Sequence, residues 1–413
     1  MTHWQLPGMN RRVFLYLLHS GLLSMGLFGI TDVVLNFYFV SLGHDPDVIG
    51  VLQALPRLGG LLTGIPAGLI ANRIGARRVT IYGTILAALT YPLMLLFPTL
   101  FMLGASRFLL GLAYGATQIA SAPLMMTLTA NKHQTYQFSY HSVVTMITTA
   151  GGSFAAGFLP LLVARVANVD AQSSTAYAFT LLTVALITLI SAYPLWILQG
   201  ETALIRRKIS TDVQRNPDDD VPWLRLIWLS SPFLFFGFSG GLTFPFYNLL
   251  FRNVYDVPDA TVGTILSLGW LGMGLVTLSN PWWDKRFGRA RGLGITMTIA
   301  AIAFLTLSVA PVLWMGVIAY IVATSVRNTM SPLFQPLLLD SLPPIFHNLA
   351  SSVGFVLWNI GYFCASILGG QWQTTHGFDF IMQVVALAVF VTGMSVVWVF
   401  RKRQPHPVSE GDV

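Results

Sequence analysis

Charge is scarce in this sequence. Of 413 residues, 23 are Lys or Arg and 16 are Asp or Glu, 9% in all, whereas a soluble protein needs about a quarter of its residues charged to clothe its surface. That scarcity excludes a cytosolic enzyme and a disordered chain. Cysteine is nearly absent too: Cys364 stands alone, so no intramolecular disulfide and no cysteine-based metal cluster can form. There is no G-x-x-x-x-G-K followed by serine or threonine and no H-E-x-x-H, so direct ATP drive and a metalloprotease-like site are unsupported and no cofactor is expected. The chain also lacks a polar stretch in which a soluble catalytic domain could be built, and it is not expected to be an enzyme. The balance of +7 does not point to nucleic acid either, because the basic residues fall in short clusters between apolar runs rather than along one polar face.

What the chain does have is apolar length. Hydrophobic residues make up 54% and the mean hydropathy is +0.67, a composition that belongs in a bilayer. Crossing the hydrocarbon core takes a run of roughly 17–25 residues. Twelve such runs can be drawn, at 13–41, 48–70, 78–97, 99–129, 138–164, 175–198, 224–251, 261–283, 292–311, 313–338, 349–370 and 379–400. The first is too long for a signal peptide and has no small-residue cleavage site before Asp45.

Orientation follows from the basic residues, which cytoplasmic loops retain. With the N-terminus inside, eighteen Lys and Arg fall in inner loops and tails, from Arg11 and Arg12 to Arg401, Lys402 and Arg403, and only Arg165 and Arg252 fall outside. Both termini are therefore expected in the cytoplasm, of a plasma or bacterial inner membrane. The longest polar stretch divides the chain into a six-span bundle at 1–198, a cytoplasmic linker at 199–222, and a second six-span bundle with a short cytoplasmic tail at 223–413. The halves repeat. Gly50 and Gly75 bracket span two as Gly263 and Gly288 bracket span eight, each pair 25 residues apart, running from an acidic outer loop (HDPDVIG, YDVPDATVG) to a basic inner turn (NRIGARR, KRFGRAR). Repeated halves with a polar linker are a feature of transporters that rock two bundles around a midplane site.

Small residues let membrane helices approach, and Gly60, Gly64 and Gly68 in span two recur at four-residue spacing, as do Gly111 and Gly115 in span four. Charged groups within spans are costly and mark functional sites by default. There are four: Asp32, Arg57, Arg107 and Arg327. At about 1.5 Å of rise per residue, Asp32, Arg57 and Arg107 share an outer layer, so Asp32 can pair with either arginine; Arg327 sits nearer the middle of span ten. Asp32 is then either a proton carrier or half of a fixed structural pair. If one arginine neutralises it, two buried positive charges remain and favour an anionic or zwitterionic substrate; alternatively Arg57 or Arg327 bonds backbone carbonyls. Further candidate cavity groups are Asn36, Gln53, Gln118, Tyr140, His141, Tyr247, Asn248, Trp270, Asn328, Gln335, Trp358, Asn359 and Tyr362. His19, low in span one, reads as a helix–helix hydrogen bond.

A resemblance then becomes specific. Gly68-Leu-Ile-Ala-Asn72-Arg73-Ile-Gly75-Ala-Arg77-Arg78 resembles the G-x-x-x-D-R-x-G-R-R loop of the major facilitator superfamily, between spans two and three where that family carries it. Arg107 followed by Gly111 resembles its span-four motif. Gly29-Ile-Thr-Asp32 is similar to the membrane acid of the family's drug–proton antiporters, although prolines do not follow it here. Gly151, Gly152, Gly157 and Pro160 resemble, at a different spacing, the glycine-proline motif of its exporters.

The resemblance implies an all-α membrane protein of twelve transmembrane helices in two six-helix bundles around a central cavity, a monomer working by alternating access on a small-molecule substrate and protons. Export of drugs or amphipathic compounds is the first expectation; an uptake symporter for an organic anion or sugar-like nutrient, and a non-transporting receptor or lipid scramblase, are the alternatives. It assigns proton coupling to Asp32 and Arg107, with substrate contacts expected at Asn36, Arg57, Tyr247, Asn248, Trp270, Arg327, Trp358 and Asn359. The loop Gly68, Asn72, Arg73, Gly75, Arg77 and Arg78 would be a conformational latch, weakened because Asn72 replaces the usual aspartate and loses its attraction to a helix N-terminus.

Overall fold

The computed structural model describes residues 9–128, 134–198 and 221–401, and all of their regular elements are helices. Nine helices are each long and apolar enough to cross a membrane, among them Arg11–Ser41, Ala76–Leu96, Leu100–Thr127, Ser174–Ile197 and Gly377–Val399. Two further crossings are bent: Pro46–Gly64 with Pro66–Ile74 at 55°, and Trp223–Ser230 with Pro232–Thr243 at 43°. The remaining one, span ten, is divided into Leu313–Arg327 and Met330–Asp340, of 15 and 11 residues, each too short to be counted alone. Twelve crossings result, in the order the apolar runs give. The linker at 199–220, Lys132 and the tail from Lys402 lie outside the described residues.

Local chemistry sets the helix ends. Asn10 accepts from the Val13 amide (2.9 Å) and Thr99 and Ser173 cap spans four and six in the same way, satisfying donors that a helix start leaves open. The two basic turns share one backbone conformation. Gly75 (φ 93°, ψ 145°) and Gly288 (φ 72°, ψ 157°) each separate two helices, and each donates its amide to the carbonyl four residues back, Ala71 and Asp284, at 2.9 Å. A side chain is strained at such a φ, which is why glycine recurs at the basic turn of each half.

Close contacts divide the chain into two compact units. One holds spans one to six together with Tyr247–Trp270; the other holds the rest of spans seven and eight with spans nine to twelve. In the first, Gly111 of span four meets the Pro56 backbone of span two, and Gly115 the Cα of Gly60. Among the described residues Gly64 and Gly68 meet nothing within 4 Å, a correction to their reading as packing residues: they lie at and beyond the 55° bend, where the helix has changed course. Span one is interrupted by a π-helical turn, Met25–Ile30, closed by the Thr31 hydroxyl donating to Gly26 O at 2.9 Å. Here span five comes closest, since a Cβ on Gly29 would lie 2.7 Å from Thr149 O and 2.8 Å from the Gly152 Cα. Gly157, a turn further along span five, does the same for Ala260 of span eight. Of the glycines that resemble an exporter motif, Gly152 and Gly157 are thus backbone contact points, while Gly151 faces open space among the described residues.

Candidate functional site

Asp32 lies in the first α-helical turn after the π segment, and π turns recur at functional sites. The charges of Arg107 and Arg57 both bear on it, Arg107 more strongly, so the three groups are gathered as the outer-layer argument expects. Among the described residues, however, Asp32 makes no direct ion pair. Arg107, 8% exposed, donates to Gln53 Oε1 (2.8 Å) and Leu52 O (3.4 Å) instead. Two groups absent from the sequence argument complete the cluster: Tyr91, whose hydroxyl lies 2.7 Å from that of Thr31, and Tyr114, on which the Arg57 charge acts.

From Arg107 a polar chain runs inward. Gln53 Nε2 donates to Asn36 Oδ1 (2.7 Å), Asn36 Nδ2 to Asn248 Oδ1 (3.0 Å), and Asn248 Nδ2 to Val33 O (2.8 Å). Asn36 and Asn248 are each 1% exposed. The two asparagines expected to meet substrate are therefore bonded to one another and tie span one to the second half of span seven.

Beside Asp32, the first unit carries a half-open cavity of about 240 Å³ lined by spans one, four and five and by Trp270. It gathers Gln118, His141 and Trp270, all read as candidates from sequence, together with His19 and Tyr16. Phe28, one turn before Asp32, packs edge-on against Tyr114 (centroids 5.3 Å apart), and both rings line the cavity. The Tyr16 hydroxyl bonds those of Ser20 and Ser121. His19 Nδ1 lies 2.7 Å from Ser191 O; a carbonyl only accepts, so Nδ1 carries the hydrogen and Nε2 of the neutral ring is an acceptor.

The other expected substrate residues are placed elsewhere. Arg327, 3% exposed in the second unit, donates to Phe236 O (2.7 Å) and Ser239 Oγ (3.1 Å), with its guanidinium 4.2 Å from the Phe236 ring centre. Carbonyl, hydroxyl and ring face thus meet a charge that the sequence argument leaves without an acid. Asn359 donates to Phe355 O on its own helix (2.9 Å), Trp358 packs against Tyr362 (5.5 Å), and Tyr247 is buried. The stretch read as a loop after span two is helical on both sides of Gly75; there Asn72, Arg73 and Arg78 are exposed, and Arg77 donates to Leu198 O at the end of span six.

A second ionic cluster escapes the sequence reading. Tyr177, at the start of span six, donates to Asp259 Oδ2 (2.7 Å); Arg252 lies 3.6 Å from Asp259 Oδ1, bonds the Tyr177 hydroxyl (3.2 Å) and stacks on Phe37 (4.5 Å). The run YDVPDATVG reads as a loop, yet a helix begins at Asp259 and leaves it 9% exposed. A tyrosine 82 residues away could have been matched to it only by knowing the fold.

Many solved structures share this fold. They include a bacterial homologue of the human lysosomal transporter spinster in an inward-facing, occupied conformation (TM-score 0.74, 12% identity, 95% of this chain and 96% of that one). A bacterial homologue of the iron transporter ferroportin follows (0.70, 18%, 94% and 98%), and the E. coli fucose:proton symporter (0.63, 15%, 94% and 98%). Identities this low carry the fold and nothing about cargo. A search of curated protein sequences finds no match. The sequence model of the Major Facilitator Superfamily matches residues 17–250 and 229–412, nearly the whole chain, and the protein therefore belongs to that superfamily of membrane transporters.

Proposed function

We propose that this transporter is a proton-coupled secondary carrier that works by alternating access and exports amphipathic small molecules. The observation that carries the reading is the position of Asp32: it adjoins two arginine charges and stands one helical turn from Phe28 in the cavity wall. An acid between a charge cluster and a cavity can load or release a proton as its surroundings change, and a charge inside a membrane span is retained for function. In this reading Arg107 and Arg57 set the acid's affinity for its proton, and the loop from Gly68 to Arg78 latches the inner side. Both termini lie in the cytoplasm of a bacterial inner or plasma membrane, and the chain acts as a monomer.

The test is substrate-dependent proton movement in proteoliposomes that enclose a pH-sensitive dye. Substrate added with no gradient imposed should drive protons in the opposite direction to itself. Movement in the same direction would make the carrier a symporter, and no movement at all would remove proton coupling.

A further inference from the structure

We infer that the cavity of the first unit takes an uncharged, ring-bearing compound that both donates and accepts hydrogen bonds. This deepens the transport reading and rests on it. The argument starts from the wall. Among the described residues no Asp, Glu, Lys or Arg lines the cavity, so an ion entering it would lose its water without gaining a counter-charge. Asp32 and Arg57 are outside the lining, and their charges bear on one another.

Most of the lining side chains carry a polar group, but several of these are already engaged. Thr117 and Thr145 donate their hydroxyls to Ala113 O and His141 O of their own helices, at 3.0 and 2.8 Å, so they hold little in reserve for a ligand. Gln118 is exposed at the wall and offers two N–H donors and an acceptor; His19 Nε2 adds an acceptor, and the His141 ring adds one of either kind. Between these groups stand the rings of Tyr16, Phe28, Tyr114 and Trp270, which suit a flat partner. At about 240 Å³ the space lies just below the roughly 300–1,000 Å³ usual for ligand pockets. The fit is to one or two rings bearing amide or hydroxyl groups.

Three isosteric probes separate the charge classes: 4-hydroxybenzamide (uncharged), 4-hydroxybenzoate (anion) and 4-hydroxybenzylammonium (cation). Each is titrated against the purified full chain in detergent, with ligand-induced thermal stabilisation as the readout. The uncharged probe should half-saturate at a concentration at least about tenfold lower than either ion. Gln118→Met and Trp270→Leu should each weaken it by a similar factor while the unliganded melting temperature is kept; should one variant lose its fold, the other decides. An ion binding as well as the amide, no binding of the amide, or binding indifferent to the folded Gln118 and Trp270 variants would each overturn the inference. The failures are distinguishable: intact amide binding without substrate-linked proton movement refutes the coupling reading, and ion binding with proton movement intact refutes this one.

Discussion

Replacing Asn248 with leucine should destabilise the protein about twice as much as replacing Asn36 with leucine. Asn36→Leu removes the bonds to Gln53 Nε2 and Asn248 Oδ1, but each neighbour keeps others. Gln53 still accepts from Arg107, and Asn248 still donates to Val33 O and accepts from the Leu249 amide at 2.9 Å. Asn248→Leu removes three bonds at once, including the one the Leu249 amide makes, in a site where Asn36 and Asn248 are each 1% exposed. Hydrogen bonds between membrane helices average about 0.6 kcal/mol, with a maximum near 1.7, while a stranded buried group costs about 1–3 kcal/mol. The expected losses are therefore about 1–2 kcal/mol for Asn36→Leu and about 2–4 kcal/mol for Asn248→Leu. Reversible SDS unfolding in bicelles measures both. The double variant should show a coupling of about 0.5–1.5 kcal/mol, since the two residues share a bond. Additive losses, or a larger loss for Asn36→Leu, would refute the network as drawn.

Other outcomes follow from the same geometry. Gly29→Val should lower stability by about 1–3 kcal/mol or more through overpacking, because its Cβ is driven against Thr149 O and Gly152; the same change at Gly64, with nothing within 4 Å, should be close to neutral in the same unfolding assay. Tyr177→Phe, which removes a donor to a buried carboxylate, should cost about 1.5–3 kcal/mol, and a loss below 0.5 kcal/mol would place Asp259 in water rather than in the helix interface. A reporter fused after Val413 or within 205–217 should be active only in the cytoplasm, because the basic residues concentrate on that side.

The crossings were legible because length and apolarity alone decide them, and the glycine of each basic turn because a positive φ demands it. Cavity residues were harder. Gln118, His141, Asn36 and Asn248 look alike as polar residues in apolar runs, yet the first two line a cavity while the last two bond each other across 212 residues. Arg327 shows the same limit, since a carbonyl can answer a buried charge as an acid does and every residue has a carbonyl. The π turn in span one leaves no mark in the composition; its trace is the pair Gly26 and Gly29, whose meaning depends on spans six and five, against which they pack. Spacing reports which face a residue shares within its own helix, and the partner helix decides what that face is for.

The most direct test is Asp32→Asn in proteoliposomes, which keeps size and a hydrogen-bonding group while removing the proton. Substrate flux under an imposed pH gradient, energy-independent exchange and thermal stability are measured on one preparation. The account predicts a folded protein with exchange intact and gradient-driven accumulation abolished. Accumulation at the parent level in a well-folded variant would contradict it and take Asp32 out of the mechanism.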